Sequence, residues 1–231
     1  MFLDLGPVVR NFDLRRDDPR LFLTFDDGPN NEMTPKVLDL LSEFNAKATF
    51  FVIARNAQNE RQLIQRMVYA GHGIGNHSLD HNTLRFFSGR KALQPWIREA
   101  QDVIEQIAGT RTVGFRSPVG IQTPSLHQAL MDLDIPLVHW NMRFYDTNLG
   151  FSTKRSMFAA HTAKTGSIML LHDRHFGVRA QNILESLRVF LEIIQKRQKT
   201  LAALTREETR LEYIKQRNAM KSKLLPLRLT K

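Results

Sequence analysis

Leu21-Phe22-Leu23-Thr24-Phe25-Asp26-Asp27-Gly28-Pro29 is an apolar run of β character that stops at two adjacent carboxylates and a turn. Successive side chains on a strand point to opposite faces, so neighbouring acids cannot share one strand face. At a strand end, the Gly28-Pro29 turn frees the chain to aim both acids at one place. Two neighbouring carboxylates repel, and such a pair is stable mainly where a metal or an arginine takes up the charge. Taken alone, Asp-Asp-Gly fits a solvated turn equally well. The rest of the chain decides for a site.

Outward from this run, short apolar strands alternate with amphipathic helical stretches. Leu21–Phe25 is a predicted strand, and Thr34-Pro35 supplies an N-cap and an N1 proline for a helix to about Asn45. Strands are expected at Ala48–Ile53, Gly73–Asn76, Val113–Phe115, Pro136–Asn141 and Ser167–Leu171. Helices are expected at Ala57–Ala70, Gly89–Ile107, Thr123–Leu133, Thr153–Ala163 and Ala180–Gln195. Strands alternating with helices of this length imply βαβ units and a parallel sheet. Six or more such units favour a closed or nearly closed β/α barrel over an open sheet. No Gly/Ser or Pro tract and no internal repeat divides the chain, so one domain is expected.

At 231 residues, 42% apolar and 24% charged, the chain can bury a sizeable core. No stretch approaches the roughly 20 consecutive apolar residues of a membrane span. Met1-Phe2-Leu3-Asp4-Leu5 meets an acid too early for the apolar core of a secretory leader, so none is expected in this sequence. The absence of cysteine excludes disulfides and thiolate zinc sites, leaving histidine and carboxylate as metal ligands. Of the net charge of +10, half the excess lies from Thr205 to Lys231, where eight Lys or Arg face three Glu. A solvated basic helix and frayed tail is the expectation there, with attraction to an anionic surface as the alternative. Nothing interleaves aromatic residues with these charges, so no nucleic-acid partner is expected.

The reactive groups gather at the predicted strand ends, where a β/α barrel carries its chemistry. They are Asp26-Asp27, His77-Ser78-Leu79-Asp80-His81, Arg116-Ser117-Pro118-Val119-Gly120 and Leu171-His172-Asp173. Two histidines separated by three residues can face one ion from a single turn, as in helical zinc motifs. With a carboxylate from Asp27 they form a two-imidazole, one-carboxylate set that leaves coordination positions open, as a catalytic metal needs.

These residues carry a resemblance. The chain is similar to the polysaccharide deacetylases with the NodB homology domain, carbohydrate esterase family four. Five blocks stand in the family's order: Thr24–Gly28, His77–His81, Arg116–Gly120, the Trp140–Asp146 region and Leu170-Leu171-His172. The stretches Lys47–Val52 and Gly71–Asn76 match as well, and the resemblance runs from about Pro19 to Thr205. It implies a distorted (β/α)7 barrel over residues 19–205, flanked by an N-terminal extension (1–18) and a basic helix or tail (206–231).

The resemblance further implies roles. Asp27, His77 and His81 would hold one divalent metal, usually zinc, with cobalt or nickel able to serve. Asp26 matches the catalytic base, and Arg116 would keep it ionised and aimed. The backbone N–H of Val119 would stabilise the oxyanion, and Leu170 would line the pocket for the acetyl methyl. His172 matches the general acid, oriented by Asp146. Trp140, Phe144 and Tyr145 are either core or barrel rim or include one that lines the sugar groove, with Trp140 the candidate. His72 is expected in a structural loop and Asp80 as a loop cap, while His127, His139, His161 and His175 stay outside the site.

The implied activity is metal-dependent removal of acetyl from N-acetylglucosamine-type residues of peptidoglycan, chitin-like or other polysaccharide. An O-acetyl esterase, or a deacylase or deformylase acting on a small or lipid-linked sugar, would use the same machinery. A non-catalytic glycan-binding protein on the same fold is the alternative of another class, and the intact base, ligand and acid set argues against it. A monomer at the cell envelope, periplasmic or extracellular, is the expectation by resemblance. Two departures stand out. Val119 replaces the usual aromatic after Pro118, and Thr147 replaces the usual tryptophan after Asp146. Both remove a surface on which sugar rings stack.

Overall fold

The structure, a computed structural model, describes residues 5–146 and 152–224. Strand β1, Arg20–Asp26, is buried on both faces, which is why its sequence is a continuous apolar run rather than an alternating one. Leu21, Leu23 and Phe25 join a core shared with Val37, Leu41, Ile183 and Leu187. Phe22 faces the other way, into a second core with Phe51, Phe115, Val138 and Ile168. The same alternation carries Thr24 and Asp26 toward that second face.

β2 (Ala48–Val52), β3 (Gly73–Asn76), β4 (Met142–Arg143) and β5 (Ile168–His172) join β1 in a parallel sheet of order β3-β2-β1-β5-β4. Helices α1 (Thr34–Glu43), α2 (Ala54–Asn59), α3 (Arg61–Tyr69), α4 (Arg90–Ala108), α5 (Pro124–Asp132), α6 (Thr153–Thr162) and α7 (Gly177–Lys196) follow or connect the strands. A short β6, Thr200–Leu201, pairs with the start of β1. Beyond β3 the sheet continues through single pairings, Asn76 with Phe115 and Phe115 with Leu137. Val9 then pairs with Val138, and Asn11 with Ser167 at the foot of β5, which closes the ring. This is a distorted (β/α)7 barrel.

Several elements differ from the sequence reading. The strands predicted at Val113–Phe115 and Pro136–Asn141 are reduced to isolated bridges. Pro136 offers no N–H to a ladder, and the carbonyls of Val138 and His139 accept instead from Arg116 Nε and Nη2 at 3.2 and 3.0 Å. The helix predicted at Ala57–Ala70 is two helices, broken at Glu60 (φ −120°, ψ 45°). Helix α7 begins at Gly177 rather than Ala180.

The termini also take part. Val9 N–H donates to Leu137 O at 2.9 Å, His139 N–H to Val9 O at 2.8 Å and Phe12 N–H to Gly166 O at 2.9 Å. The N-terminal segment therefore fills the gap where the barrel strands are shortest. Helix α8, Arg206–Leu224, is docked rather than wholly solvated. Thr209 and Tyr213 are buried on one of its faces, and Thr209 Oγ1 donates to Val113 O at 2.5 Å. Residues 1–4 of the extension, Thr147, and residues 225–231 of the basic segment lie outside the described residues. Among the described residues no helix is long and apolar enough to cross a membrane.

Candidate functional site

The C-terminal end of β1 builds the site. Asp26 is the last strand residue, and Asp27 takes a left-handed backbone (φ 76°), which breaks the strand alternation. Both carboxylates therefore line one cleft. Asn56 Nδ2 fixes the turn by donating to the Asp27 carbonyl at 2.9 Å. Gly28 is required by a close approach, because a Cβ there would lie 2.3 Å from both carboxyl oxygens of Asp173.

His77 follows β3 directly, and its Nδ1 donates to Arg116 O at 2.9 Å. That bond fixes the tautomer and leaves the Nε2 lone pair free for a ligand. Nε2 lies 3.3 Å from Asp27 Oδ1, the same distance as His81 Nε2. The histidine pair follows β3 outside any helix, as the strand assignment implied. It sits in a loop in which Ser78 and His81 are left-handed (φ 78° and 59°), stitched by Asn76 Oδ1 and Ser78 Oγ. Burial alone would raise the Asp27 carboxyl, but the His77 and His81 imidazoles 3.3 Å from its Oδ1 hold it well below the usual carboxylate range. Two free imidazole nitrogens around one ionised carboxylate fit a divalent cation.

Arg116 is wholly buried behind the cleft. Its Nη1 donates to Asp26 Oδ1 at 2.8 Å and to Thr24 Oγ1 at 2.7 Å, and the guanidinium stacks 3.9 Å from the Phe51 ring. Asp26 is in register with His172 across β1 and β5, so the two side chains leave neighbouring strands at one level. His172 Nδ1 donates to Asp146, 3.0 Å from Oδ1, and its backbone N–H donates to Oδ2 at 2.8 Å. Burial opposes charge on His172, yet Asp146, with Asp26 and Asp27 beyond it, pushes its pKa up to about 9. Asp146 in turn is held at about 2 by His172 and His175, against its own burial.

A cleft of about 300 Å³ is lined by Asp26, Asp27, His77, His81, Val119, Trp140, Arg143, Tyr145, Asp146, Leu170 and His172. Nine of the ten candidates from the sequence thus line one cavity, and Arg116 stands behind it. Val119 is 73% exposed in a left-handed conformation (φ 50°), a strained state for a β-branched residue. Phe144 is core against Phe190, whereas Tyr145 lines the cleft.

The match of this chain to known proteins agrees with that geometry. The polysaccharide deacetylase family model matches residues 13–138. The chain belongs to the polysaccharide deacetylase family. It is 37% identical over 157 residues to a chitooligosaccharide deacetylase of Sinorhizobium fredii, covering 67% of this chain and 72% of that protein. It is 32% identical over 163 residues to a peptidoglycan-N-acetylglucosamine deacetylase of Listeria monocytogenes, covering 69% of this chain but only 34% of that longer protein. Among solved structures, a peptidoglycan N-acetylglucosamine deacetylase in complex with 4-naphthalen-1-yl-N-oxidanyl-benzamide superposes with TM-score 0.75 at 26% identity, covering 85% of this chain and 90% of that one. A family 4 acetyl xylan esterase from Clostridium thermocellum, solved with a cobalt ion, gives TM-score 0.71 at 29% identity over 80% and 88% of the two chains. Polysaccharide deacetylase chemistry is metal-dependent, and this member carries an Asp/His set that fits a metal.

The sequence reading missed three residues in or behind the polysaccharide deacetylase cleft. His175 is buried, and its Nε2 donates to Asp146 Oδ2 at 3.2 Å; its three-residue spacing from His172 was the available signal. Thr24 bonds Arg116, as its position two residues before Asp26 on the same strand face allows. Arg143 enters the cleft from within the Trp140–Asp146 block, and its place in that block was the available signal. His72 and Asp80 behave as expected: His72 Nδ1 accepts from Ala48 N–H at 3.1 Å, and Asp80 accepts from Trp96 Nε1 at 3.3 Å.

Proposed function

We propose that this chain is a metal-dependent hydrolase that removes acetyl groups from N-acetylated amino sugars, such as the N-acetylglucosamine-type residues of peptidoglycan or chitin-like polymers. The observation that supports it is that Asp26 and His172, register partners on β1 and β5, line one cleft with Asp27, His77 and His81. Asp27, His77 and His81 would hold the ion, zinc in this reading, with cobalt or nickel able to serve. A divalent cation bound there polarises the acetamide carbonyl and makes neighbouring water more acidic.

Asp26, oriented by Arg116, takes a proton from the attacking water as the water oxygen bonds to the acyl carbon. The backbone N–H of Val119 donates to the developing oxyanion. His172 delivers its Nε2 proton to the amine nitrogen as the C–N bond breaks, while Asp146 holds the imidazole through Nδ1. Leu170 bounds the acetyl methyl, and Trp140 offers a face to the sugar ring. Acetate and the free amino sugar leave.

We place this work at the cell envelope, on an N-acetylated glycan and without a nucleic-acid partner. The protein acts as a monomer, and the basic segment from Arg206 onward adds weak attraction to anionic envelope polymer or membrane surface. Similarity to an acetyl xylan esterase supports a second reading, O-deacetylation by the same residues.

The test is acetate release from N-acetylglucosamine oligomers, purified peptidoglycan and an O-acetylated xylan. Chelated enzyme, metal-restored enzyme and Asp26→Asn are compared. Release restored by metal and abolished by Asp26→Asn supports the reading, and the preferred polymer separates N- from O-deacetylation. Release that chelation leaves untouched would sink it.

A further inference from the structure

Every ion pair inside the cleft belongs to the catalytic groups: Arg116 with Asp26, His77 and His81 with Asp27, His172 and His175 with Asp146. One cation of the cleft is left over. Arg143 lines the same cavity, is exposed, and forms no ion pair with a carboxylate among the described residues. Its position is fixed by the fold. β4 pairs with β5 so that Arg143 is in register with Leu170, and Phe144 N–H donates to Leu170 O at 3.3 Å. Arg143 therefore stands on the wall that carries Leu170 and His172, where the sugar bearing the scissile amide must lie.

The guanidinium is also ordered in advance. Its carbon sits 4.5 Å from the centroid of the Tyr145 ring, and Tyr145 lines the cleft from a left-handed backbone position (φ 58°). Stacking occupies the face of the guanidinium and leaves the N–H donors at its edge free. A planar fork of donors held open in this way matches a carboxylate or phosphate bidentately, and a neutral hydroxyl uses it poorly. Fixing the fork on a ring beforehand lowers the ordering cost of binding.

We infer that Arg143, stacked on Tyr145, is a subsite for an anionic substituent, a carboxylate or a phosphate, on the N-acetylated sugar or the residue next to it. This inference rests on the deacetylase reading for where the sugar lies, and it narrows the substrate to acidic glycans.

Binding to the metal-loaded Asp26→Asn protein tests it, since that variant leaves bound sugar intact. Three probes are titrated calorimetrically: N,N′-diacetylchitobiose, the disaccharide of N-acetylglucosamine and N-acetylmuramic acid, and N-acetylglucosamine 1-phosphate. An anionic probe is expected to bind about tenfold or more tightly than the neutral one, with the advantage falling at high salt. Adding Arg143→Gln should collapse that ratio, and Arg143→Lys should restore part of it. The carboxylate and phosphate arms identify which anion is meant. Failure of both anions to outbind chitobiose, or a preference that Arg143→Gln leaves intact, overturns the inference. Acetate release is scored separately on the Asp26-bearing enzyme. If no sugar is deacetylated, the catalytic reading fails while the binding ratio still decides the subsite.

Discussion

Arg116 Nη1 lies 2.8 Å from Asp26 Oδ1, with the two side chains 0% and 4% exposed. A buried pair of this kind is costly to break, because the surviving charge loses its partner without gaining water. Arg116 also serves Thr24, Val138 and His139, so it ties β1 to the segments that replace regular strands in the barrel. Arg116→Met should therefore cost about 3–5 kcal/mol of stability. In urea denaturation, the double variant Arg116→Met/Asp26→Leu should lose less than the two single changes together. Strictly additive losses would show that the pair is not the source of the effect.

The charge on His172 depends chiefly on Asp146. Burial favours the neutral ring, and only the bond and charge of Asp146, helped by Asp26 and Asp27, bring the pKa up to about 9. The imidazolium needed as an acid is thus present below that pH and lost above it, which sets the alkaline limb of activity. Asp146→Asn removes the largest support, so the limb should move down by at least about one pH unit. A kcat/KM profile checks this, and a limb that stays in place would assign it to another group.

Two trios of ligand-type side chains lie in or beside the cleft, Asp27/His77/His81 and Asp146/His172/His175. In the first, His77 donates away from the trio, from Nδ1 to Arg116 O, which leaves Nε2 facing Asp27 as a ligand; in the second, the nitrogens that face Asp146, His172 Nδ1 and His175 Nε2, are the ones that donate to it. Zinc should raise Tm, with about 2.7 kcal/mol gained at a hundredfold excess over Kd. His77→Ala should abolish the shift and His175→Ala should keep it. The reverse pattern would move the metal to the second trio.

Asp173 is buried behind the Asp26–Gly28 turn, where Thr34 Oγ1 donates to its Oδ2 at 2.6 Å and its Oδ1 has no partner. Burial, with the nearby Asp27 charge, raises its pKa from 3.8 to about 7. The folded state therefore holds a proton that the unfolded state releases, and this residue's contribution to stability falls as pH rises from 3.8 to 7. Asp173→Asn should flatten that fall, which denaturation midpoints at pH 4 and pH 7.5 would reveal. An unchanged difference between the two pH values counts against a buried neutral carboxyl.

By itself the sequence determined the parallel α/β class and pointed to the strand ends where ten candidate site residues gather. β1 is buried on both sides, so its pattern is a continuous apolar run, and reactive groups at strand ends stand out against such runs. Tertiary structure decided what local pattern cannot encode. Pro136 and the carbonyls drawn to Arg116 turned two predicted strands into single bridges, and the N-terminal segment closed the ring through Val9 and Asn11. The basic helix docked because Thr209 and Tyr213 found a buried face that charge counting does not register. Sheet register did the rest: β4 pairs with β5, which sets Arg143 beside Leu170 in the cleft and brings Asp146 within reach of His172 and His175.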